Sequence, residues 1–175
     1  VTYAGGGGGG ASSGTAASGG SGGGGAGGLL TGSNLTIDTN SNYVVTVGAG
    51  GAGGIGSTLC MLLTRNGHTV HAFDNLNNGY FDNLIEDGKQ VCNFIYGDIR
   101  NTSILTKIFD EKEIDVVVHL AALTSLPVCE SDPVECIDVN VGGTASVLQA
   151  ARKRGIKVIC ASTSAIYENN RKSQA

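Results

Sequence analysis

Five short runs of β-branched and apolar residues recur along the chain, at residues 43–47 (YVVTV), 69–73 (TVHAF), 92–96 (CNFIY), 116–120 (VVVHL) and 157–160 (KVIC). Runs of this kind suit strands buried on both faces of a parallel sheet. Between them the apolar residues take a helical period. A helix is expected at 55–66, where Leu59, Leu62 and Leu63 share a face; a second at 103–112, with Ile104, Leu105 and Ile108; and a third at 133–154, with Val134, Ile137, Val141, Val147, Leu148 and Ala151. The last closes on Lys153, Arg154 and Gly155, two cations and a glycine suited to a helix C-terminus. Strand and helix in regular succession imply right-handed crossovers, so the expected fold class is α/β, a doubly wound parallel sheet.

The residues before this pattern follow another chemistry. Of 29 glycines, 22 lie within the first 56 residues, a stretch that holds no Lys, Arg, Glu, Cys or His. Residues 5–28 are nearly all Gly, Ser and Ala, which bury too little apolar area to offset the entropy of ordering them; alone they read as a flexible linker or low-complexity tail. Residues 29–38 and 43–47 alternate in β fashion about an Asn/Ser turn, which predicts a hairpin. The chain therefore divides into a glycine-rich low-complexity segment, 1–42, and an α/β body, 43–175. The front, GGGGGGASSGTAASGGSGGGGAGGLLTGSNLTI with NYVVTVGAGGAGG, resembles the glycine-rich modules of phage tail fibres and related surface proteins over about residues 4–54.

All 11 basic residues lie in the body, whose acids outnumber them to give the chain a net charge of -4. With no basic stripe to neutralise phosphates, a nucleic-acid partner is not expected. Cys60, Cys92, Cys129, Cys136 and Cys160 show no Cys-x-x-Cys spacing and fall in or beside apolar runs, so they are expected to be small core residues in a reducing compartment, with no metal site. The chain begins at Val1, carries no signal-peptide pattern, and has no apolar run near the ~18 residues of a membrane span, so a cytoplasmic protein with no membrane contact is expected.

The turn after the first expected strand reads AGGAGGIG, with Gly50, Gly53 and Gly56 between a strand and an amphipathic helix. Glycine there lets the turn tighten, the backbone approach a pyrophosphate and the helix pack on the strand, with unpaired N–H groups facing the phosphates. Asp74 ends the second strand, 18 residues past Gly56, where a carboxylate accepts both ribose hydroxyls and repels a 2′-phosphate. This favours NAD over NADP.

Further motifs follow in order: HTVHAFDNLNNG, YGDIRN, VVVHLAALTSLPVCESDP, DVNVGGTASVLQAARKRGIKV and ASTSAIY. With GGAGGIGSTL before them, residues 50–167 resemble the extended short-chain dehydrogenase/reductase family, the NAD-dependent nucleotide-sugar epimerases and dehydratases. The resemblance implies an incomplete Rossmann fold, here of about five strands. It implies that Gly54 and Ile55 line the pyrophosphate, that Asp74 and Asn75 hold the adenosine ribose, and that Asp98 and Ile99 flank the adenine, Asp98 accepting from its amino group. Leu120, Ala121, Ala122 and Leu123 would pass the nicotinamide-side ribose, and Asn140 would anchor a nearby loop from its helix. Thr163 would take the catalytic role of hydrogen-bonding the substrate hydroxyl. His119, within the His-Leu-Ala-Ala motif, would be structural. Family members often form homodimers through two helices, one of them matching 133–154.

In that family a Tyr-x-x-x-Lys pair abstracts the hydroxyl proton while a hydride moves to the nicotinamide. Here Tyr167 is followed at the fourth position by Arg171, so it is not expected to be the base, and the pair and the sugar-binding domain are expected to be missing. Gly48, Ala49, Gly54 and Glu168 also depart from the family's pattern, three of them within or beside GAGGAGG. The first strand is thus expected to belong by origin to the glycine-rich module, joined to the body at this tract. The NAD-binding portion of a nucleotide-sugar epimerase or dehydratase, inactive as it stands, is the leading reading. A glycine-rich viral or surface structural protein and a non-catalytic NAD-binding module stay open beside it.

Overall fold

The computed structural model describes residues 2–4, 29–31, 41–46 and 54–162. Two short strands at the front, β1 (Thr2–Ala4) and β2 (Leu29–Thr31), pair antiparallel. The body runs β3 (Asn42–Thr46), α1 (Ile55–Arg65), β4 (Thr69–Asp74), a 3₁₀ turn (Phe81–Leu84) and a small hairpin of β5 (Ile85–Glu86) and β6 (Lys89–Gln90). It continues with β7 (Asn93–Tyr96), α2 (Thr102–Glu111), β8 (Val116–His119), α3 (Leu126–Ser131), α4 (Pro133–Ile137), a π-helical turn (Asp138–Gly143), α5 (Thr144–Arg152) and β9 (Lys157–Cys160).

The five body strands form one parallel sheet in the order β7-β4-β3-β8-β9. The chain winds outward one way from β3 through β4 to β7, then crosses to β8 and winds the other way. This is the doubly wound arrangement the strand-helix alternation implies, with its switch point between β3 and β8. Successive residues of a strand serve opposite cores. From β3 and β8, Val44 and Val117 face a cluster with Phe73, Leu105, Phe109 and Val147 beneath α2 and α5. Tyr43, Val116 and Val118 face the other way, with Cys60 and Val70 and with Leu59 and Leu63 of α1.

Local signals end the helices. Asn101 caps α2, its Oδ1 accepting from Ile104 N at 3.1 Å. Beyond α1, Gly67 takes φ 84° while His68 N–H returns to the Leu63 carbonyl at 3.1 Å. Beyond α5, Gly155 takes φ 66° while Ile156 N–H returns to Ala151 at 3.1 Å. A left-handed glycine followed by such a return bond closes a helix because no Cβ resists the reversal.

Four expectations require correction. The hairpin between 29–38 and 43–47 does not form: β2 pairs with β1, and β3 is hydrogen-bonded on both sides by β4 and β8, leaving no free edge. Leu62 is half exposed, and only Leu59 and Leu63 of the expected face pack on the core. The helix at 133–154 is interrupted by the π-helical turn; Val147 and Ala151 face inward while Val134, Ile137, Val141 and Leu148 form an exposed stripe. The cysteines also divide. Cys60 and Cys92 are buried, Cys160 is exposed, and Cys129 and Cys136 are joined as a disulfide. The break at Asp132 and Pro133 folds α3 back on α4 and brings the two Cα atoms to 5.2 Å, a closeness that a separation of seven residues does not announce.

Candidate nucleotide site

The carboxyl ends of β4, β7 and β8 open on one cleft, lined by Asp74, Asn75, Asp98, Ile99, Ala121, Ala122 and Leu123, all residues expected there. Crevices at this end of a doubly wound sheet are where such folds take ligands. Asp74 is buried, and its Oδ1 accepts from the Leu76 N–H at 2.6 Å. Burial pushes its pKa up, opposed by the backbone N–H groups of Leu76 and Asn75. Leu76 sits at φ 56°, a costly conformation for a branched side chain and one that clusters at binding sites. Gly79 closes over the same carboxylate; a Cβ there would lie 3.0 Å from Asp74 Oδ2.

Asp98 is held differently. Arg100 donates to it three times, from N and Nε to Oδ1 at 2.9 and 3.0 Å and from Nη2 to Oδ2 at 2.7 Å. Asn75 Nδ2 adds a weaker bond to Oδ2 at 3.3 Å. Those four donors fill the roughly four acceptor positions of a carboxylate, so a ligand amino group must displace Asn75 to be received. The Arg100 guanidinium keeps the Asp98 carboxyl below its ordinary range. Arg100 Nη1 also reaches Glu135 at 2.8 Å and Asp138 at 3.0 Å, tying α4 and the π-helical turn to the end of β7.

This network makes a testable demand. A depressed carboxyl pKa stabilises the fold above the unfolded value, and that contribution disappears as pH falls through the folded value. Arg100→Met is therefore expected to lower the urea midpoint at pH 7, with the gap from the native protein narrowing steadily below pH 4; a gap unchanged with pH would refute the assignment.

Among the described residues, the amide of Asn140 ties down the loop after β8 at Leu123. Asn140 Oδ1 accepts from Leu123 N at 2.7 Å and its Nδ2 donates to Leu123 O at 2.9 Å. The π-helical turn contains Asn140, and Thr144 Oγ1 donates back to the Asn140 carbonyl at 2.6 Å. Thr144 has then spent its only proton, so in its 3.0 Å contact with His119 Nε2 the imidazole is the donor. His119 is buried, which lowers its pKa, and its geometry is that of a strut beneath the loop. Gly143 faces Ile99, where a Cβ would come within 2.4 Å of Cδ1.

Other expected residues are not among the described residues that line this cleft. Leu120 packs against the core beneath α1. Gly54 precedes α1, its carbonyl accepting from Ser57 N and Oγ at 3.1 and 2.9 Å; Ile55 is exposed in the first turn and Gly56 is buried. Gly50, Gly53 and Thr163 lie outside the described residues. Glu135 and Val139 line the cleft although nothing in their own spacing marks them, and Arg100 stood in view within YGDIRN without a role.

Among the described residues no group of His, Cys, Asp and Glu could hold a metal ion, and no helix is long and apolar enough to cross a membrane. Residues 46–175 match the family model described as the NAD dependent epimerase/dehydratase family. The chain belongs to that family. A second model, the glycine-rich domain, matches residues 1–71, so the two overlap across the end of β3, the glycine turn, α1 and the start of β4.

Among relatives within the family, the chain is 40% identical over 119 residues to a UDP-glucose 4-epimerase of Klebsiella pneumoniae, covering 66% of this chain and 86% of that one. It is 36% identical over 119 residues to the UDP-glucose 4-epimerase of Lacticaseibacillus casei, covering 67% of this chain but 35% of that one. A UDP-glucose-4-epimerase of Stenotrophomonas maltophila, solved with bound NAD and formylated UDP-arabinopyranose, superposes with a TM-score of 0.69 at 29% identity, covering 78% of this chain and 41% of the other. The Brucella ovis UDP-glucose 4-epimerase in complex with NAD gives 0.63 at 31% identity, covering 73% and 37%. The chain thus spans well under half of the solved epimerases it matches, and the family is NAD-dependent.

Proposed function

We propose that residues 43–175 are the NAD-binding portion of a nucleotide-sugar 4-epimerase, preceded by a separate glycine-rich segment at 1–42. The observation that carries this reading is the convergence of Asp74, Asn75 and Asp98 with the clamped Ala121–Leu123 loop on one cleft at the carboxyl edge of the sheet. The donor chemistry fits the cofactor: a buried carboxylate for a ribose diol, small residues along the loop, and a second carboxylate beside an amide that can yield. NAD, when bound, would supply hydride acceptance at its nicotinamide. This chain's residues would hold the adenosine end and shape the wall on the nicotinamide side, with Thr163 reaching the substrate hydroxyl.

No Tyr in the chain is followed four residues later by Lys, so the 175 residues alone are expected to bind without turnover. A UDP-sugar substrate and cytoplasmic residence are further parts of the proposal, as is pairing with a second copy, which the exposed stripe Val134, Ile137, Val141 and Leu148 supports.

Isothermal titration with NAD and NADP tests the core of it. NAD is expected to bind and NADP to bind more weakly, because its 2′-phosphate meets the Asp74 carboxylate; equal affinities, or none, would reject the reading. The pH dependence is a second check. Raised by burial, Asp74 takes up its proton above the ordinary value of about 3.9. NAD affinity is expected to fall as pH drops through that raised value, since a neutral carboxyl accepts less well from the ribose hydroxyls. The contribution of Asp74 to unliganded stability moves oppositely, rising on acidification, against the loss at Asp98. Asp74→Asn should bind weakly and show no such pH dependence.

A further inference from the structure

We propose that Cys129 and Cys136 form a reversible thiol–disulfide site whose state sets the affinity of the nucleotide cleft, an inference that rests on the NAD-binding reading. The two sulfurs stand directly behind the cleft wall. Asn140 Nδ2, which donates to Leu123 O at 2.9 Å, also reaches Cys136 Sγ at 3.4 Å. The same Leu123 carbonyl lies 3.6 Å from Cys129 Sγ and 3.9 Å from Cys136 Sγ. Leu123 itself lines the cleft. The disulfide therefore packs against the Leu123 carbonyl and the Asn140 amide that binds it.

Neither cysteine is fully buried, so a small thiol can reach the pair, whereas Cys60 and Cys92 are sealed in the core. The bridge closes only seven residues of chain and spans a helix break that is already held locally: Asp132 caps α4, its Oδ1 accepting from Glu135 N at 3.0 Å, and Pro133 starts the next turn. A loop this short constrains the unfolded chain less than a long one would, and the break it spans is held without it. Bridges in cytoplasmic proteins of moderate-temperature organisms are in the main transient and redox-sensing.

The exchange is balanced with a dithiol as co-reactant. A thiolate of the dithiol attacks one protein sulfur, the Cys129–Cys136 bond breaks, and a mixed disulfide forms. The second thiol then closes on the first, leaving a cyclic disulfide and two protein thiols, with two electrons and two protons transferred to the protein. The freed sulfurs must part from bonding to van der Waals distance, and each gains an S–H donor that competes with Asn140 Nδ2 for the Leu123 carbonyl. Helix α4 is pinned through Glu135 to Arg100, so α3 and the Leu123 loop are what give way. Reduction loosens the wall of the cleft.

Binding linkage requires the converse, that bound NAD resists reduction by the same factor by which reduction weakens NAD. The test uses the 175-residue protein equilibrated in graded ratios of reduced to oxidised dithiothreitol, with and without saturating NAD. Free thiols are trapped by a maleimide and assigned by peptide mass, so that Cys129 and Cys136 are read separately from Cys60, Cys92 and Cys160. The ratio at half reduction is expected to rise with NAD by about 5- to 100-fold. Titration calorimetry should show NAD binding weakened by the same factor in the reduced protein, with Cys129→Ser/Cys136→Ser behaving as reduced protein and indifferent to dithiothreitol. An unchanged half-reduction ratio, equal affinity in both states, or thiols at 129 and 136 that never pair would overturn the proposal. Absence of NAD binding in both states would overturn the cofactor reading with it, and the thiol map, which needs no nucleotide, tells that case from the others.

Discussion

Asn140→Ala is expected to weaken NAD binding by about 10- to 100-fold, the equivalent of about 1.4 to 2.8 kcal/mol. Alanine removes both hydrogen bonds to Leu123, whose backbone N–H and C=O then have no side-chain partner at a residue only 8% exposed. Stranding a buried polar group costs about 1–3 kcal/mol, and here the cost falls on the wall of the cleft. The His119 and Thr144 contacts end on the Asn140 backbone, so they survive the substitution and the helix should persist. Titration calorimetry reads the affinity, and circular dichroism checks that the fold is kept. Binding within twofold of the native chain would mean that the amide does not position the loop.

Gly97→Ala has the other large expected effect, on stability. An added Cβ would lie 2.5 and 2.6 Å from Cε2 and Cζ of Phe73, a ring fully buried between β4 and the α2/α5 layer. Neither the ring nor the strand end can step aside cheaply, because close-packed interiors transmit the displacement to their neighbours. A cost of about 1–3 kcal/mol is expected, seen as a lower urea midpoint with an unchanged slope. Phe73→Leu should destabilise by itself but recover part of the loss when combined with Gly97→Ala, since the clash and the ring disappear together. If the two losses simply add, the contact is not the cause.

All five body strands begin and end within one or two residues of the apolar runs that announce them, because strands of a covered parallel sheet offer apolar residues to the layers packed on them; the burial is fullest in β4 and β8 and thins in the edge strands β7 and β9, whose end residues are exposed. Asp74 was legible as an acid ending an apolar run, whereas Asp98 was singled out through the family resemblance of YGDIRN. The failures have physical causes as well. The hairpin expected around 29–47 came from local alternation, which cannot tell which strand will be captured by a larger sheet. The stripe of Val134, Ile137, Val141 and Leu148 obeys helical period as faithfully as the inward face does, so periodicity alone could not say which side the core would take.

The glycine turn, usually the first sign of a dinucleotide site, lies largely outside the described residues, and the case for the cofactor passes to residues after it. The chain's family matches meet at that same turn. β3 ends where the epimerase match begins and lies within the glycine-rich match, yet it occupies the centre of the sheet. Parallel strands demand little of one another beyond β-branched residues of suitable size, which YVVT provides.

Sequence by itself determined the layer architecture, the strand positions and the acids at the sheet's carboxyl edge, since these depend on residue type and on spacing along one chain. Tertiary structure alone decided what stands behind them: Arg100 filling Asp98 and binding α4, Asn140 gripping both backbone groups of Leu123, and Cys129 meeting Cys136 across a helix break. Each of those contacts depends on where a turn directs a side chain in three dimensions, and spacing along the chain does not encode that direction.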